Sequence, residues 1–240
     1  MARRATFFSR VRESLPSKQP FLVLGGGYEF GRQALGSKDY ETLKNLQESY
    51  ALLGYDLGLL TGFELKEFGD NGLEPPTAWR HPGSVSVVPL TANGVNVAVL
   101  LLPELPSGTQ TPPERLVRQI ETVLSKEREQ ADIIVALSPW GLWVERAYLE
   151  SGADTPDLLL GSGPGVEVPG VIVAQGKTFW LRPYAKGKTV ARIDILQLPS
   201  GEEDFTWTEN GNIRFETPAL TDSYIEDTNI LSVLMGAGAE

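Results

Sequence analysis

Few side chains in this sequence have the types and spacing that hydrolytic or metal chemistry requires. The chain has a single histidine, His81, and no cysteine. His81 lies in the turn WRHPG, so a Ser-His or Cys-His nucleophile pair is not easily assembled, although a Ser-Lys arrangement remains open. Without cysteine the chain has neither disulfides nor thiolate metal ligands, so cysteine usage does not indicate an oxidising or a reducing compartment.

Three carboxylates, Glu29, Glu64 and Asp157, are candidates for a hard-cation site, because Ca²⁺ and Mg²⁺ prefer oxygen ligands. We favour a simpler interpretation, in which they are solvated or helix-capping side chains. The string GGYEFGR at 26–32 lacks the lysine and Ser/Thr of a phosphate-binding loop, so it predicts a strand-to-loop turn. The basic string KGKTVAR at 186–192 is interpreted as a solvated turn, because the protein is acidic overall.

The composition excludes several classes of partner. The 240 residues carry a formal net charge of −10 without a basic block, so a nucleic-acid or anionic-membrane surface would repel the chain. No stretch approaches the length of a membrane span, and no apolar core follows the first arginines. We therefore expect a soluble chain without membrane insertion or an export signal, and one domain over residues 1–240.

The elements that must position these residues alternate between helix and strand. Apolar spacing predicts a helix in RATFFSRVRESL, and Asp39 and Gly54 are expected to begin and end a second helix. Residues 64–83 are rich in Gly and Pro and are assigned no helix or strand. The strands predicted in this half are FLVLGGG, DLGLL and the two arms of the hairpin SVSVVPLTANGVNVAVLLL, which turns at Asn93-Gly94.

The second half begins with the clearest helix, at 113–130, and becomes mostly β. A strand in DIIVALS, a helix at about 142–151 and a strand in DLLLG follow. Continuous apolar strands separated by helices indicate sheets covered on both faces, with antiparallel pairs towards the end. The remaining predicted elements are strands in GVIVAQ, TFWLRP and TVARIDILQL, two strands near 204–216 joined at Asn210-Gly211, and a helix at about 222–235.

The order of these strings resembles the metallophosphoesterase domain of the 5′-nucleotidase branch of the calcineurin-like superfamily. The resemblance covers roughly residues 2–197 and rests on ARRATFFSRVRES, FLVLGGGYEFGR, LQESYALLGYDLGLLTGFEL, ADIIVALSPWGL, DLLLGSGPG and VIVAQGKTFWLRPYAKGKTVARIDI. It implies an α/β fold in which a two-sheet β-sandwich with mixed sheets is flanked by helices in four layers. In that family, the strand ends hold two metal ions that activate water for phosphoester hydrolysis.

The motifs that would hold the metals are where this sequence departs from the resemblance. Tyr28 stands where the bridging aspartate is expected, and TGFE replaces G-N-H-E, leaving Glu64 alone. The strand IVALS ends at a proline instead of a histidine. The positions that would carry ligands but do not are Tyr28, Gly62, Phe63, Pro139, Gly163 and Gly165.

The residues that remain around these positions are two acids and several aromatic side chains. Glu29 and Glu64 are possible residual cleft residues, as are Trp140 and Trp143 on either side of Gly141. With Tyr28, Phe63 and Trp180, if these lie nearby, the two tryptophans would form an aromatic cluster able to bind an apolar or planar ligand. We favour the alternative that large side chains fill the volume left by metals and substrate.

Ligand count decides the functional interpretation. A dinuclear site needs several anionic and imidazole ligands, and one histidine cannot replace the four that the resemblance would place. We therefore expect no metal, no cofactor and a catalytically inactive domain with a structural, scaffolding or binding role. The alternative is a phosphoesterase or nucleotidase-like hydrolase with a rebuilt, non-standard metal site.

The first strand expected from the resemblance, with its D-x-H, would lie before Ala2 and is absent from the residues given. We expect a larger protein or a homo-oligomer to supply a strand in its place. Relatives of this kind are usually exported, which predicts an extracytoplasmic, periplasmic location by resemblance only. The sequence identifies no ligand.

Overall fold

The computed structural model describes residues 1–17, 19–31, 36–183, 187–199 and 204–236. These residues form two compact units, one made of Met1–His81 with the chain from Ala219 onward and the other of Pro82–Pro218. The mixture of helices with parallel and antiparallel strands confirms the predicted α/β class. A single domain over residues 1–240 stays a prediction.

The described part of the chain contains six α-helices and eleven strands. The helices are α1 (Ala2–Ser14), α2 (Tyr40–Leu53), α3 (Gly62–Asp70), α4 (Glu114–Glu127), α5 (Leu142–Leu149) and α6 (Thr228–Leu234). The strands are β1 (Leu24–Gly25), β2 (Leu57–Leu59), β3 (Trp79–Arg80), β4 (Ser86–Ala92), β5 (Val95–Leu101), β6 (Ile133–Ser138), β7 (Leu158–Gly161), β8 (Val168–Val173), β9 (Thr178–Arg182), β10 (Arg192–Ile195) and β11 (Ile213–Glu216). None of the described helices is both long and apolar enough to cross a membrane.

The first unit is built on a parallel three-stranded sheet in the order β1-β2-β3. Helix α2 begins and ends where the sequence predicts: the Asp39 side chain accepts a hydrogen bond from the N–H of Thr42, and Gly54 is left-handed. The segment 64–83, to which the sequence assigns no helix or strand, contains most of α3 and all of β3, so that expectation is wrong. The composition gave no sign of these elements, because Gly69 lies within α3 and the other glycines and prolines of the segment lie in the loops beside α3 and β3.

The core of this unit is aromatic. Trp79 is buried in β3, and its ring packs at 4.9–5.4 Å between centroids against Phe30, Tyr50 and Tyr55. Gly58 pairs with Trp79 in the sheet register, and a β-carbon at Gly58 would lie 2.3 Å from the indole. The glycine is therefore required for the close approach of the ring to the sheet.

The second unit is built on a mixed six-stranded sheet in the order β4-β5-β6-β7-β9-β8. Its four inner strands are parallel, and β4 and β8 are antiparallel edges. The predicted hairpin between β4 and β5 is confirmed, with Asn93 and Gly94 both left-handed as a two-residue turn requires. Because the inner strands are parallel, β6, β7 and β9 bring their carboxyl ends to one edge of the sheet.

Helix α4 lays its predicted apolar stripe on this sheet, where Leu116, Ile120 and Leu124 join the buried core. The prediction of two strands near 204–216 is wrong in part. Only β11 forms there among residues 204–216, and it pairs with β10, while Asn210 and Gly211 form the expected turn. Helix α6 begins at Thr228, six residues later than expected, because Asp227 caps its first turn.

Candidate functional site

The positions that the resemblance assigns to metal ligands fall in both compact units. Tyr28, Gly62 and Phe63 lie in the first unit, and Pro139, Gly163 and Gly165 lie in the second. Within each unit, these residues lie in the segments that directly follow the carboxyl ends of parallel strands. We describe the two groups separately.

Glu64 organises the ligand positions of the first unit. Its side chain is fully buried, and Thr61, two residues after β2, forms a capping box with it at the start of α3. The carboxylate accepts hydrogen bonds from the Thr61 N–H at 2.9 Å and the Thr61 hydroxyl at 2.8 Å. It also accepts hydrogen bonds from the N–H groups of Tyr28 at 3.1 Å and Phe30 at 2.7 Å.

These four donors fix the loop after β1 onto the start of α3. Tyr28 adopts a left-handed backbone with φ of 72°, which is uncommon for a residue other than glycine. Burial raises the pKa of the Glu64 carboxyl, while the hydrogen bonds from Thr61 and Phe30 oppose that shift. Glu64 is thus a structural carboxylate, in agreement with the capping interpretation of the sequence.

Glu29 belongs to a separate network on α1 and α2. The buried guanidinium of Arg4 lies 3.3 Å from the Glu29 carboxylate and donates to the Tyr55 hydroxyl at 2.8 Å. The Tyr50 hydroxyl donates a short hydrogen bond to the same carboxylate. Glu29 is therefore neutralised by an arginine within the chain.

His81 lies one residue after β3, with its Nδ1 atom 3.2 Å from the Leu60 carbonyl oxygen. The histidine is thus closer to the carboxyl end of β2 than its sequence position indicates, but it is exposed. The described residues contain no group of three or more His, Asp or Glu side chains that could hold a metal ion.

In the second unit, the loop after β7 folds onto the end of β6 and the start of α5. The Ser162 N–H donates to the Ser138 carbonyl oxygen at 2.7 Å. In return, the Gly141 N–H donates to Ser162 at 3.0 Å, and the Leu142 N–H donates to Pro164 at 2.9 Å. Two N–H groups at the start of α5, where an anion can bind, are therefore bonded to this loop.

Arg182, the last residue of β9, holds the same loop from the other side. Its guanidinium donates to the carbonyl oxygens of Ser162 at 3.0 Å, Gly163 and Pro164 at 3.1 Å, and Val166 at 3.3 Å. It also forms an ion pair of 2.6 Å with Glu145 of α5. Both side chains are buried, with exposed fractions of 3% for Arg182 and 0% for Glu145.

Two donors converge on one carboxylate oxygen of Glu145, Oε2. The indole N–H of Trp180 donates to its carboxylate at 3.0 Å. Burial raises the pKa of the Glu145 carboxyl, and the Arg182 guanidinium is the largest opposing influence. We therefore assign the two as a buried ion pair that links α5, β9 and the loop after β7.

Asp157 is also a structural side chain. It accepts a hydrogen bond from the Ile134 N–H at 2.6 Å and an ion pair from Arg128 at 3.2 Å. Burial raises the pKa of its carboxyl, and the Ile134 N–H is the largest opposing influence. With Glu29 and Glu64 engaged elsewhere, the hypothesis of a hard-cation site from these three acids is not supported in the described residues.

The tryptophans do not form a single cluster. Trp140 is buried, donates its indole N–H to the Pro103 carbonyl oxygen at 2.7 Å and packs on Tyr148. Trp143 is 63% exposed and stacks on the Arg146 guanidinium. The less favoured interpretation, in which both tryptophans line one aromatic pocket, is therefore not supported. Trp140 lies before α5 and is buried, whereas Trp143 lies in the first turn of α5 and is exposed.

The residues present do not fit a dinuclear metal centre. Within the described ranges, Glu64 accepts hydrogen bonds from three backbone N–H groups and the Thr61 hydroxyl, and an arginine lies where the loop after β7 would need to accept a cation. Sequence reasoning missed Thr61, Glu145 and Arg182. The pattern Thr61-x-x-Glu64 is the sequence signal of a capping box and could have identified Thr61. The pairing of Glu145 with Arg182 leaves no signal in a single sequence.

No family model and no curated protein sequence matches the chain significantly. Solved structures do match, over 98% of the chain. One is the Thermus thermophilus sulfate thiohydrolase SoxB in complex with glycerol, with a TM-score of 0.69 and 18% identity. Another is a Thermus thermophilus 5′-nucleotidase precursor, with a TM-score of 0.63 and 15% identity. The Haemophilus influenzae NAD nucleotidase NadN matches with a TM-score of 0.58 and 11% identity.

These matches confirm the predicted resemblance at the level of the fold. Identities of 11–18% show the fold alone. The chain covers 46%, 52% and 55% of the three proteins, so it spans about half of their length.

Proposed function

We propose that this chain is a catalytically inactive metallophosphoesterase-like domain with a structural, scaffolding or binding role. The observation that supports it is the engagement of the two ligand regions within the chain. Four donors occupy Glu64, and Arg182 occupies the loop after β7. A two-metal hydrolase instead needs free anionic and imidazole ligands to hold dications about 3.5–4 Å apart and lower the pKa of a bound water.

The state of α5 supports the same proposal. A phosphoester substrate is commonly held by the free N–H groups of a helix N-terminus. Here the N–H groups of Gly141 and Leu142 donate to carbonyl oxygens of the loop after β7. These oxygens are hydrogen-bond acceptors and repel phosphate. Binding a phosphate at this position would therefore require the loop to open.

Metal analysis together with a phosphoester screen tests the proposal. We expect substoichiometric Mn, Zn and Fe after dialysis against a chelator and metal reloading, and no turnover of nucleotides or aryl phosphates. A stoichiometric metal, or turnover that Glu64→Gln abolishes while the exposed control Glu150→Gln retains it, would establish the alternative hydrolase with a rebuilt site. Nucleotides are included in the screen because a 5′-nucleotidase precursor and an NAD nucleotidase share the fold.

The proposed scaffolding role includes a strand supplied by another polypeptide. Among the described strands β1 pairs with β2 alone, so it is an edge of the three-stranded sheet. A strand from a second copy or a larger protein would extend this edge by backbone hydrogen bonds. Light scattering at increasing concentration checks the homo-oligomer, and a strictly monomeric species with slow amide exchange along both sides of β1 would contradict it.

An extracytoplasmic location completes the proposal. It is supported only by the fold shared with a 5′-nucleotidase precursor. Cell fractionation with an antibody against the chain is the measurement, and recovery in the cytoplasmic fraction would contradict it.

A further inference from the structure

The Arg182 guanidinium uses its full hydrogen-bonding capacity. A guanidinium has five N–H donors in a rigid plane. In this structure Nε donates to Val166, Nη1 to Glu145 and Ser162, and Nη2 to Gly163 and Pro164. Five acceptors from α5 and one short loop therefore converge on one planar cation.

The acceptors need that cation. The Glu145 carboxylate is fully buried, and leaving such a charge without its partner is strongly destabilising. Carbonyl oxygens that point at the same place repel one another unless a positive group lies between them. An apolar side chain at position 182 would remove the cation from these acceptors, although Gly141, Leu142 and Trp180 would still donate to Ser162, Pro164 and Glu145.

We propose that the Glu145 carboxylate and the carbonyl oxygens of Ser162, Gly163, Pro164 and Val166 form a guanidinium-binding site whose native occupant is the chain's own Arg182. The site is shaped by a planar fork of donors and not by a spherical metal ion. It follows that a free guanidinium ion binds there once the Arg182 side chain is removed. This inference concerns the loop itself and holds whether or not the domain is catalytic.

The test is chemical rescue of Arg182→Ala. We expect the substitution to lower the thermal unfolding midpoint by roughly 10 °C, from the cost of breaking a buried pair in a chain of this size. Millimolar guanidinium chloride should then raise the midpoint of this variant by several degrees, because ligand binding to the folded state stabilises it. At such concentrations its denaturing effect is negligible.

The controls separate a cation site from a filled space. Urea has the same planar shape without the charge, and sodium chloride matches the ionic strength, so neither should rescue. Arg146→Ala removes an exposed arginine from α5, the helix that carries Glu145. The midpoint of this variant should show no response to guanidinium. No difference between guanidinium and urea, or rescue by Ca²⁺ instead of guanidinium, would overturn the proposal.

A second variant covers the case in which Arg182→Ala does not fold. Arg182→Lys keeps the charge near Glu145 but cannot serve four carbonyl oxygens. Amide exchange at Ser162, Gly141 and Leu142, whose N–H groups join this loop to its neighbours, should therefore be at least tenfold faster than in the parent protein, and unchanged exchange would overturn the proposal. A metal bound stoichiometrically to the parent protein would contradict the proposed function without affecting either readout.

Discussion

At the scale of single residues, Glu64 has the greatest influence on the first unit. Its carboxylate is fully buried and draws its donors from two separate stretches, Tyr28–Phe30 and Thr61. A carboxylate with several backbone donors can remain ionised inside a protein, yet here burial outweighs them and raises its pKa. The folded protein therefore binds the Glu64 proton more tightly than the unfolded chain does.

This difference predicts how stability depends on pH. Because the pKa of Glu64 is raised on folding, its contribution to the free energy of unfolding is fully present below the ordinary glutamate pKa. The contribution is lost as the pH rises through the folded-state value. Glu64→Gln should therefore reduce the gain in stability that the parent protein shows between neutral and mildly acidic pH, measured by urea unfolding.

Glu145 and Asp157 also have raised pKa values, so some of the gain will remain in that variant. The matched control is Glu150→Gln, which removes one exposed carboxylate of α5's end from the same chain. If the free energy of unfolding depends on pH in the same way in both variants, the raised pKa of Glu64 is contradicted.

Gly58 gives a second prediction at this scale. A β-carbon there would lie 2.3 Å from the Trp79 indole, so Gly58→Ala should displace the ring and destabilise the protein by roughly 3 kcal/mol. Gly69→Ala is the control, because no atom lies within 4 Å of its β-carbon. Helix propensity predicts that this control stabilises α3 by up to about 1 kcal/mol. Denaturant unfolding of both variants measures the contrast.

Single residues also show what a sequence can and cannot reveal about a site. That Tyr28, Phe63 and Pro139, at positions which the resemblance assigns to metal ligands, are not ligand-type side chains is visible in the sequence, because it depends only on residue type. What replaced them is not visible. Glu145 lies in α5 and Arg182 lies 37 residues later at the end of β9, so only the folded chain brings them together.

At the scale of elements, α3 depends on its first turn. Thr61 and Glu64 form a reciprocal capping box, and the Thr61 hydroxyl is one of the four donors to Glu64. Thr61→Ala should cost about 1–2 kcal/mol, the usual value for an N-cap. Thr61→Ser keeps the hydroxyl and should cost less than half as much, and equal losses in the two variants by denaturant unfolding would contradict this role.

Elements with strong periodicity were predictable, and those set by their surroundings were not. Helices α2 and α4 and the β4–β5 hairpin agree with the sequence because caps, apolar stripes and turn residues are local signals. Strand β1 is only Leu24–Gly25, although FLVLGGG has the composition of a long buried strand. Its length is set by pairing with the short β2, which is a property of the sheet.

At the scale of the whole molecule, the chain returns to close its first unit. Residues 220–227 run along α1: Arg3 lies 2.5 Å from Asp222, and the Thr6 hydroxyl donates to the Ile225 carbonyl oxygen at 2.6 Å. Tyr224 packs against the Phe7 ring at 5.8 Å and lies under the Arg10 guanidinium at 5.1 Å. The exposed ion pairs are weak, so the aromatic contact is expected to dominate.

Tyr224→Ala should therefore loosen this closing segment. We expect limited proteolysis between residues 219 and 227 to be several-fold faster than in the parent protein, because local opening exposes the cleavage site. Tyr40→Ala removes a more exposed tyrosine at the start of α2 and serves as the control. Protection of the segment in both variants would show that polar contacts alone hold it.

The left-handed backbone of the loop after β7 limits how this protein could change further. Gly163 and Gly165 have φ angles of 84° and 114°, and a β-carbon at Gly165 would lie 2.5 Å from the β-carbon of Leu142. Histidine at either position would be strained before it reached a metal. A metal-binding histidine in this loop would therefore require a different backbone conformation at these two positions and the release of Arg182 from the carbonyl oxygens of Gly163 and Pro164.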